Sequence, residues 1–273
     1  MKDIVVLDGV RTAIGTFGGS LAGTSPIELG SIVAKEALAR SGVEGKQVGN
    51  VVFGHVINTE PRDMYLSRAA SIAAGVPEKA PAMNVNRLCG SGLQAIVSAA
   101  QSLMLGDATM ALAGGSESMS RSPYIVPAIR WGQKMGDTGA TDMMLGALNC
   151  PFGTGHMGVT AENVAAEYDI TREAQDAFAL QSQERALNAL KEGYFKSQIV
   201  PVEVKVKRNT AFFDTDEHPK ASTVEMLGKL RPAFQKDGTV TAGNASGLND
   251  GAAAVVLATA DAASDAGLKP RAR

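Results

Sequence analysis

Cys89 lies in a run of small residues, Cys89-Gly-Ser-Gly92, where a thiol could act as a nucleophile. The preceding residues, 82–88, have the length of a strand, and the apolar spacing predicts a helix that begins at Ser91 and ends at Gly106. The sulfur would then lie at a helix N-terminus, where unpaired N–H groups and the helix dipole favour the thiolate. The small neighbours would let a substrate approach the sulfur closely, which is the environment of a nucleophile.

The residues alone leave two other interpretations of this segment open. A single cysteine is more often a small buried hydrophobic residue than a nucleophile. The pattern Gly-x-Gly-x-x-Ala that begins at Gly90, with Glu117 downstream, also matches the dinucleotide-binding fingerprint of an oxidoreductase. Asn84 and Arg87 count against that fingerprint, because a buried parallel strand seldom carries polar side chains.

The elements that would position this segment alternate between strands and helices. Ser25-Pro-Ile-Glu28 has the form of a capping box with proline at the first helical position, so a helix is expected there that ends at Gly42. Further strands are predicted over 4–7, 50–57, 109–113 and 252–258. This alternation favours an α/β layer with a largely parallel sheet. In the helix that follows the cysteine, the expected buried stripe is Leu93, Ile96, Val97, Ala100, Leu103 and Met104.

From residue 116 the character of the chain changes. Residues 119–155 are rich in Met, Gly and Pro without sustained periodicity, as in an elaborated loop region. A short helix capped by Thr160 follows, and then a long helix capped by Thr171 and closed by Gly193. We therefore predict an α/β domain formed by 1–115 and 248–268, an inserted loop domain over 116–247, and the start of a further half at 269–273.

Composition limits the classes of function. The 273 residues carry a net charge of −2, with 45% apolar and 20% charged residues, so neither nucleic acid nor a membrane is expected as a partner. No basic-then-apolar leader and no apolar run of membrane-spanning length is evident. The two cysteines, Cys89 and Cys150, form no disulfide framework, which makes the cytoplasm the expected compartment. The three histidines have no spacing suited to a metal, so no metal site is expected.

Six ordered blocks make the sequence resemble the thiolase family from end to end. The blocks are Arg11-Thr-Ala-Ile-Gly-Thr-Phe-Gly-Gly19, Asn84-Val-Asn-Arg-Leu-Cys-Gly-Ser-Gly92, Gly114-Gly-Ser-Glu-Ser-Met119, Gly155-His-Met-Gly-Val-Thr-Ala-Glu-Asn163, Lys229-Leu-Arg-Pro-Ala-Phe234 and Thr241-Ala-Gly-Asn-Ala-Ser-Gly-Leu-Asn-Asp-Gly-Ala252. Within the family, the chain most resembles bacterial biosynthetic acetyl-CoA acetyltransferases and β-ketothiolases, in which the His-Met pair occurs. The resemblance implies a thiolase-like α/β fold whose N-terminal half carries an inserted loop domain.

The reaction implied by this resemblance is the condensation of two acetyl-CoA molecules to acetoacetyl-CoA and CoA, or the reverse cleavage of a 3-ketoacyl-CoA. An acyl group on Cys89 would divide the transfer into two easier steps. N–H groups around Cys89 and Gly90 are candidates to hold the developing oxyanion. Coenzyme A thioesters would be the substrates, and no separate cofactor is expected. The alternatives are a dinucleotide-dependent oxidoreductase, which would bind NAD, and a non-catalytic acyl-CoA-binding module, which would leave the cysteine unmodified.

The resemblance also implies which residues bind the substrate. By position, Cys89 corresponds to the cysteine that becomes acylated. His156 and Met157 correspond to residues that line the acyl and pantetheine pocket, and Leu148 corresponds to a further residue of that pocket.

Four more positions correspond to residues along the rest of the coenzyme A path. Phe234, Ala242 and Ser246 match positions beside the pantetheine and adenine groups. Lys220 stands where relatives carry a basic residue, often arginine, near the nucleotide. Lysine keeps the charge but lacks the planar fork of arginine, so stacking or two-pronged contacts are not expected there.

One departure from the family pattern concerns the C-terminal half. Thiolases continue into a second, similar α/β half with a Gly-His-Pro histidine and a Cys-Gly-Gly cysteine, and neither motif occurs in this sequence. The resemblance therefore implies that the C-terminal half is missing and that the chain carries the acyl-accepting half of the site. Such a chain is expected to be nearly inactive alone, because the activating histidine is absent. At full length, a homodimer or homotetramer is expected.

Overall fold

The computed structural model describes residues 2–273, which form two compact units. The first unit comprises the chain up to Arg121 together with Ser197–Thr215 and Asn249–Arg273, and the second comprises Ser122–Lys196 and Asp216–Leu248. The segment Ser197–Thr215 joins the first unit because its strand Ile199–Val200 pairs with the N-terminal strand. The division into domains that the sequence predicts stays a prediction.

The structure contains strands and helices throughout both units. The strands are β1 (Ile4–Thr12), β2 (Gly15–Thr16), β3 (Asn50–Gly54), β4 (Ala82–Val85), β5 (Met110–Ser118), β6 (Tyr124–Ile125), β7 (Thr141–Asp142), β8 (Asn149–Cys150), β9 (Gly155–His156), β10 (Ile199–Val200), β11 (Val202–Val206), β12 (Asn209–Phe213) and β13 (Asn249–Thr259). The α-helices are α1 (Pro26–Ser41), α2 (Leu66–Ala73), α3 (Ser91–Leu105), α4 (Met143–Leu148), α5 (Met157–Glu167), α6 (Arg172–Glu192), α7 (Val224–Gly228) and α8 (Ala260–Asp265). Short 3-10 helices lie at Gly45–Gln47, Pro61–Tyr65, Met119–Arg121 and Pro127–Trp131.

A seven-stranded sheet organises the first unit. Its order is β10-β1-β13-β5-β3-β4, with β2 paired to β13 beside this path. β5, β3 and β4 run parallel, as their helical connections predict. β13 is antiparallel to both β1 and β5, so the expectation of a largely parallel sheet is wrong at the centre. β13 enters the sheet after a long connection rather than a single helical crossover, and nothing therefore constrains it to run parallel.

Helix α1 begins and packs as the sequence predicts. Ser25 Oγ accepts a hydrogen bond from the Glu28 N–H, and the Glu28 carboxylate accepts one from the Ser25 N–H at 2.8 Å, which completes the capping box. Gly42 ends the helix with φ of 70°, a left-handed conformation that glycine adopts without strain. Its buried face includes Leu29, Val33 and Ala37.

Helix α3 also spans the predicted residues, but its predicted buried face is confirmed only in part. Leu103 is buried, and Ile96 and Ala100 are partly buried against the core. The residues that pack into the core with strands β3, β5 and β13 are Ala95, Ala99 and Leu103. Leu93 and Val97 are instead 69% and 41% exposed. Because α3 is apolar on more than one face, periodicity did not identify the buried one. The face toward the sheet is lined by two small alanines and by Leu103, with Ile96 and Ala100 partly buried beside them.

The stretch Leu88–Leu105, which includes α3, has the length and apolar composition of a membrane-crossing helix. The expectation that no apolar run reaches this length is therefore wrong. Ala95, Ala99 and Leu103 pack against the sheet, while only 22% of the stretch is buried. Composition alone does not separate a core helix of this kind from a membrane span.

In the second unit, one helix is as predicted and another begins earlier. Thr171 caps α6 and Gly193 closes it, as expected. α5 begins at Met157 rather than after Thr160. His156 Nδ1 accepts the Gly158 N–H at 3.0 Å and so takes the capping role that the sequence assigned to the threonine.

Candidate functional site

Cys89 lies in a tight turn between strand β4 and helix α3. Its thiol is free and exposed, so the interpretation of this cysteine as a small buried hydrophobic residue is wrong. Gly90 is the N-cap of α3, which puts the sulfur next to the positive end of the helix dipole. The thiol therefore lies at a helix N-terminus, as the sequence predicts.

Side chains within four residues of Cys89 fix this turn. The buried Ser91 hydroxyl accepts a hydrogen bond from the Arg87 N–H at 2.9 Å and donates one to the Leu88 carbonyl oxygen at 2.6 Å. Asn86 Oδ1 accepts the Leu88 N–H at 3.0 Å. Leu88 has φ of 48°, which costs a residue with a Cβ about 1–2 kcal/mol and persists because these bonds surround it. The turn is thus held in one conformation.

The backbone donors of the turn are partly occupied. The Gly90 N–H donates to the Arg87 carbonyl oxygen at 3.1 Å, and the Ser91 N–H donates to that of Leu88 at 2.9 Å. An oxyanion contact from the Gly90 N–H, one of those that the sequence suggests, would require this turn bond to break. The Gly90 donor is therefore a poor oxyanion donor in this conformation.

A buried group of ionisable side chains, which the sequence analysis missed, lies behind the strand that leads to Cys89. His55 is 5% exposed, and its Nδ1 is 2.9 Å from the Ser116 carbonyl oxygen and 3.5 Å from Glu117 Oε1. Asp63, which is fully buried, lies 4.0 Å from His55 Nε2. Asn84 connects this group to β4, because its amide donates to the Asp63 carbonyl oxygen at 3.1 Å.

Glu117 has a structural role that contradicts the dinucleotide interpretation. Its carboxylate accepts the N–H groups of Val56 and Ile57 at 2.8 and 3.1 Å. Burial raises the pKa of Glu117, although the neighbouring His55 and the two N–H groups oppose that shift. A carboxylate engaged with the end of β3 in this way is not a free acceptor for a ribose hydroxyl.

In the second unit, the structure brings two of the predicted binding residues into contact. The His156 and Phe234 rings stack with centroids 4.8 Å apart and an angle of 19° between their planes. Gly158 lies directly beneath Phe234, since a Cβ at this glycine would overlap the phenylalanine ring. Met157 is 41% exposed beside this stack, and both rings are half-buried.

The remaining predicted binding residues also lie in the second unit. Leu148 is half-buried at the end of α4, whereas Ala242 and Ser246 are exposed on the segment that follows the Phe234 turn. Lys220 is exposed, and its backbone N–H donates to Gln183 of α6 at 3.0 Å. Cys89 belongs to the first unit.

Cys150, the other cysteine, is a half-buried free thiol in the β8–β9 hairpin. The N–H of Phe152 and the hydroxyl and N–H of Thr154 lower the pKa of the Cys150 thiol. It is therefore the natural competitor of Cys89 for an acyl group or an alkylating agent. Among residues 2–273, no three His, Cys, Asp or Glu side chains are grouped so that they could hold a metal ion.

Comparison with known proteins gives consistent matches over the whole chain. Residues 4–261 match the model of the family described as "Thiolase, N-terminal domain". The chain is 62% identical over 274 residues to beta-ketothiolase BktB of Cupriavidus necator, and it covers 70% of that protein. It is 48% identical over 276 residues to acetyl-CoA acetyltransferase of Escherichia coli, again covering 70% of the relative.

Solved structures match equally well. The crystal structure of the Bacillus anthracis acetyl-CoA acetyltransferase superposes with a TM-score of 0.95 at 45% identity, over 99% of this chain and 68% of that one. Human mitochondrial 3-ketoacyl-CoA thiolase in complex with CoA superposes with a TM-score of 0.94 at 40% identity, over 98% of this chain and 68% of that one. Identities of 40% and 45% together with such superposition mean that the α/β fold inferred from the sequence is confirmed.

Proposed function

The chain belongs to the thiolase family, and on that premise we propose that Cys89 is the residue acylated during its thiolase reaction. The observation that carries this proposal is the exposed sulfur beside the N-terminus of α3, in a turn held by Ser91 and Asn86. The thiolate attacks the carbonyl carbon of an acyl-CoA, the new carbon–sulfur bond forms, and CoA leaves with a proton. The α-carbon of acetyl-CoA then loses a proton and bonds to the acyl carbon, the thioester bond to Cys89 breaks, and the sulfur leaves as the thiolate.

The proposed substrates are acetyl-CoA and 3-ketoacyl-CoA thioesters. The names of the relatives support this choice, since they are acetyl-CoA acetyltransferases, a beta-ketothiolase and the human mitochondrial 3-ketoacyl-CoA thiolase. The reaction transfers an acyl group without net oxidation, so the coenzyme A thioesters supply all the chemistry and no separate cofactor is proposed.

We propose that the second unit binds coenzyme A. The stacked rings of His156 and Phe234 offer a flat surface for pantetheine, and Met157 and Leu148 are the apolar residues proposed to contact it as well. The exposed Ala242 and Ser246 are small enough for a ligand to approach the backbone. The exposed Lys220 supplies a positive charge for a phosphate group. The human relative was crystallised in complex with CoA, which supports coenzyme A as a ligand.

The cytoplasm and a homodimeric or homotetrameric assembly are proposed as the setting. The two free thiols support a reducing compartment, where disulfides do not persist. Nucleic acid is not a proposed partner, because a net charge of −2 provides no excess positive charge for a phosphate backbone.

Mass spectrometry tests the assignment of Cys89. The chain is joined to the residues of BktB that lie beyond the matched part, so that the protein has the length of its relatives, and it is incubated with acetyl-CoA before digestion. An acetyl group on the peptide that contains Cys89 is expected, and Cys150→Ser should acquire it equally. Acetylation confined to the Cys150 peptide would overturn the assignment. Reversible binding of CoA with both peptides unmodified would instead favour a non-catalytic binding module.

A further inference from the structure

Glu162 is a buried carboxylate whose hydrogen bonds all reach a distant part of the second unit. The residue is 6% exposed on α5. Its oxygens accept the Thr239 N–H at 2.9 and 3.0 Å, the Val240 N–H at 2.8 Å and the Thr239 hydroxyl at 3.0 Å. Hydrogen bonds to an ionised acceptor are about twice as strong as neutral ones. One side chain therefore anchors two consecutive backbone groups 77 and 78 residues along the chain.

The anchored residues close a turn that contains Phe234. The Ala233 N–H donates to the Val240 carbonyl oxygen at 2.9 Å, and Pro232 and Thr241 form an isolated β-bridge. Gly238 lies in this turn directly against Glu162, because a Cβ at that glycine would overlap the carboxylate. The turn and the carboxylate therefore fit closely, and a displaced Glu162 side chain would release the end of the turn.

Helix α5 contacts the turn at two successive positions on one face. Gly158 lies under the Phe234 ring, and Glu162 is four residues further along the helix, one turn away on the same side. His156, the N-cap of the same helix, stacks on Phe234. Helix α5 therefore positions both the Phe234 ring and the backbone at Thr239.

A second carboxylate, Asp176 of α6, holds the segment beyond the turn. Asp176 is 5% exposed and accepts the Asn244 amide at 2.9 Å, while Arg172 pairs with it at 2.7 Å. Asn244 also accepts the Thr241 N–H at 2.7 Å and donates to the Thr239 carbonyl oxygen at 3.1 Å. The residues between Thr239 and Asn244 are therefore tied to two helices.

From these contacts we infer that Glu162 and Asp176 are positioning residues, which hold the segment from Phe234 to Ser246 in the conformation that receives coenzyme A. The inference rests on the proposed coenzyme A binding by the second unit. Neither carboxylate needs to touch the ligand, since both are buried and fully engaged with the segment. Because they hold the segment in one conformation before CoA binds, they reduce the conformational entropy that is lost on binding.

The variant Glu162→Gln tests this inference in the chain extended with the remaining BktB residues. Glutamine keeps one acceptor oxygen but directs an NH₂ group at backbone N–H donors, so at least one of the bonds is lost. The dissociation constant of CoA, measured by calorimetry, should rise roughly ten- to hundredfold. The rate at which iodoacetamide alkylates Cys89 should stay unchanged, because that reagent does not use the segment. Glu167→Gln, an exposed change at the end of the same helix, is the matched control and should bind CoA as the parent does.

Hydrogen exchange separates positioning from a general loss of stability. The amides of Thr239 and Val240 should exchange faster in Glu162→Gln, while those in the core of α6 should not. If this variant does not fold, Asn244→Ala removes the Asp176 contact from the segment and should weaken CoA binding in the same direction. Unchanged CoA affinity together with faster exchange at Thr239 and Val240 would overturn the inference. Failure of the parent protein to bind CoA would instead overturn the proposed function.

Discussion

The Cys89 turn and the segment from Phe234 to Ser246 both hold functional positions on irregular backbone, but by different means. In the Cys89 turn, the fixing bonds come from Asn86 and Ser91, within four residues of the groups they bind. In the segment, Asn244 makes local bonds as well, but the anchors on the two helices are side chains 68–78 residues away. The turn is thus a local structure, whereas the segment depends on the packing of the second unit.

This difference indicates that the two regions respond differently to substitution. A local turn loses its conformation only when one of its own residues changes. A segment held at a distance is sensitive to any change in the helices that carry its anchors. The reactivity of the sulfur and the affinity for coenzyme A should therefore be separable by mutation, and the following predictions test that separation.

The largest effect is expected from Cys89→Ala. Removal of the nucleophile should lower the thiolysis rate by at least about 10⁴-fold in the chain extended with the BktB residues. The dissociation constant of CoA should stay within about twofold of the parent value, because the proposed CoA contacts lie in the second unit. Cys150→Ala is the matched control and should retain nearly full activity. Comparable losses in the two variants would contradict the assignment of the nucleophile.

Gly158→Ala should have the next largest effect, and on the other region. The added methyl group would overlap the Phe234 ring, so the ring must leave its stack with His156. Overpacking of this kind costs about 1–3 kcal/mol, and the melting temperature should fall by several degrees. The KM for CoA should rise, while alkylation of Cys89 by iodoacetamide stays unchanged.

Gly146→Ala is the control for that substitution. Gly146 lies in α4 and has nothing within 4 Å of an added Cβ, so alanine there should be neutral or stabilising by about 0.4–1 kcal/mol. A similar loss of CoA affinity in both glycine variants would mean that general helix perturbation, rather than the Phe234 contact, controls binding.

Ser91→Ala is expected to affect the local turn more modestly. Ser91 is buried, and its loss leaves the Arg87 N–H and the Leu88 carbonyl oxygen without their hydroxyl partner. Stability should fall by about 0.5–1.5 kcal/mol, because Arg87 and Leu88 are exposed and water can replace the lost hydroxyl. The alkylation rate of Cys89 should change, but the dissociation constant of CoA should not. Ser98→Ala, a half-buried serine on the same helix, is the control; equal effects of both serine variants on Cys89 would contradict a specific role of the turn.

The sequence was informative where structure is local. The capping box at Ser25, the long helix after Thr171 and the strand–turn–helix around Cys89 each depend on neighbouring residues, and all three are confirmed. The buried face of α3 was predicted only in part, because alanines and larger apolar residues both recur at helical spacing and contacts with the sheet determine which of them are buried. The start of α5 was wrong because histidine is an uncommon cap.

The anchoring contacts of the candidate site were not accessible from the sequence. Glu162 looks like any acidic residue on an amphipathic helix, and its partners lie 77 and 78 residues further on. Likewise, Glu117 was visible only as a downstream acid, although it binds the backbone after β3. Contacts between distant residues leave no spacing signal, so the structure was required to find them.

The smallest predicted effect concerns pH, and it contrasts a carboxylate from each region. Hydrogen bonds from Thr239 and Val240 outweigh the effect of burial, which alone would raise the pKa, and they lower the pKa of Glu162 below its usual value of 4.5. The stability that Glu162 contributes is therefore fully present above about pH 4.5 and is lost as the pH falls through the folded-state pKa. Glu117 has the opposite sign. Burial raises its pKa above 4.5, so the linked stability is fully present below about pH 4.5 and is lost as the pH rises through the folded-state pKa.

Thermal unfolding of the parent, Glu162→Gln and Glu117→Gln from about pH 7 to about pH 4 measures both signs, because glutamine does not titrate. The amount by which the melting temperature of the parent exceeds that of Glu162→Gln should decrease as the pH falls. Relative to Glu117→Gln, the parent should instead gain stability over the same change. Hydrogen exchange at Thr239 should follow the first titration, since those amides bind the Glu162 carboxylate directly. If the difference in melting temperature from the parent changes in the same direction for both variants, the two carboxylates do not have opposite pKa shifts and the prediction is wrong.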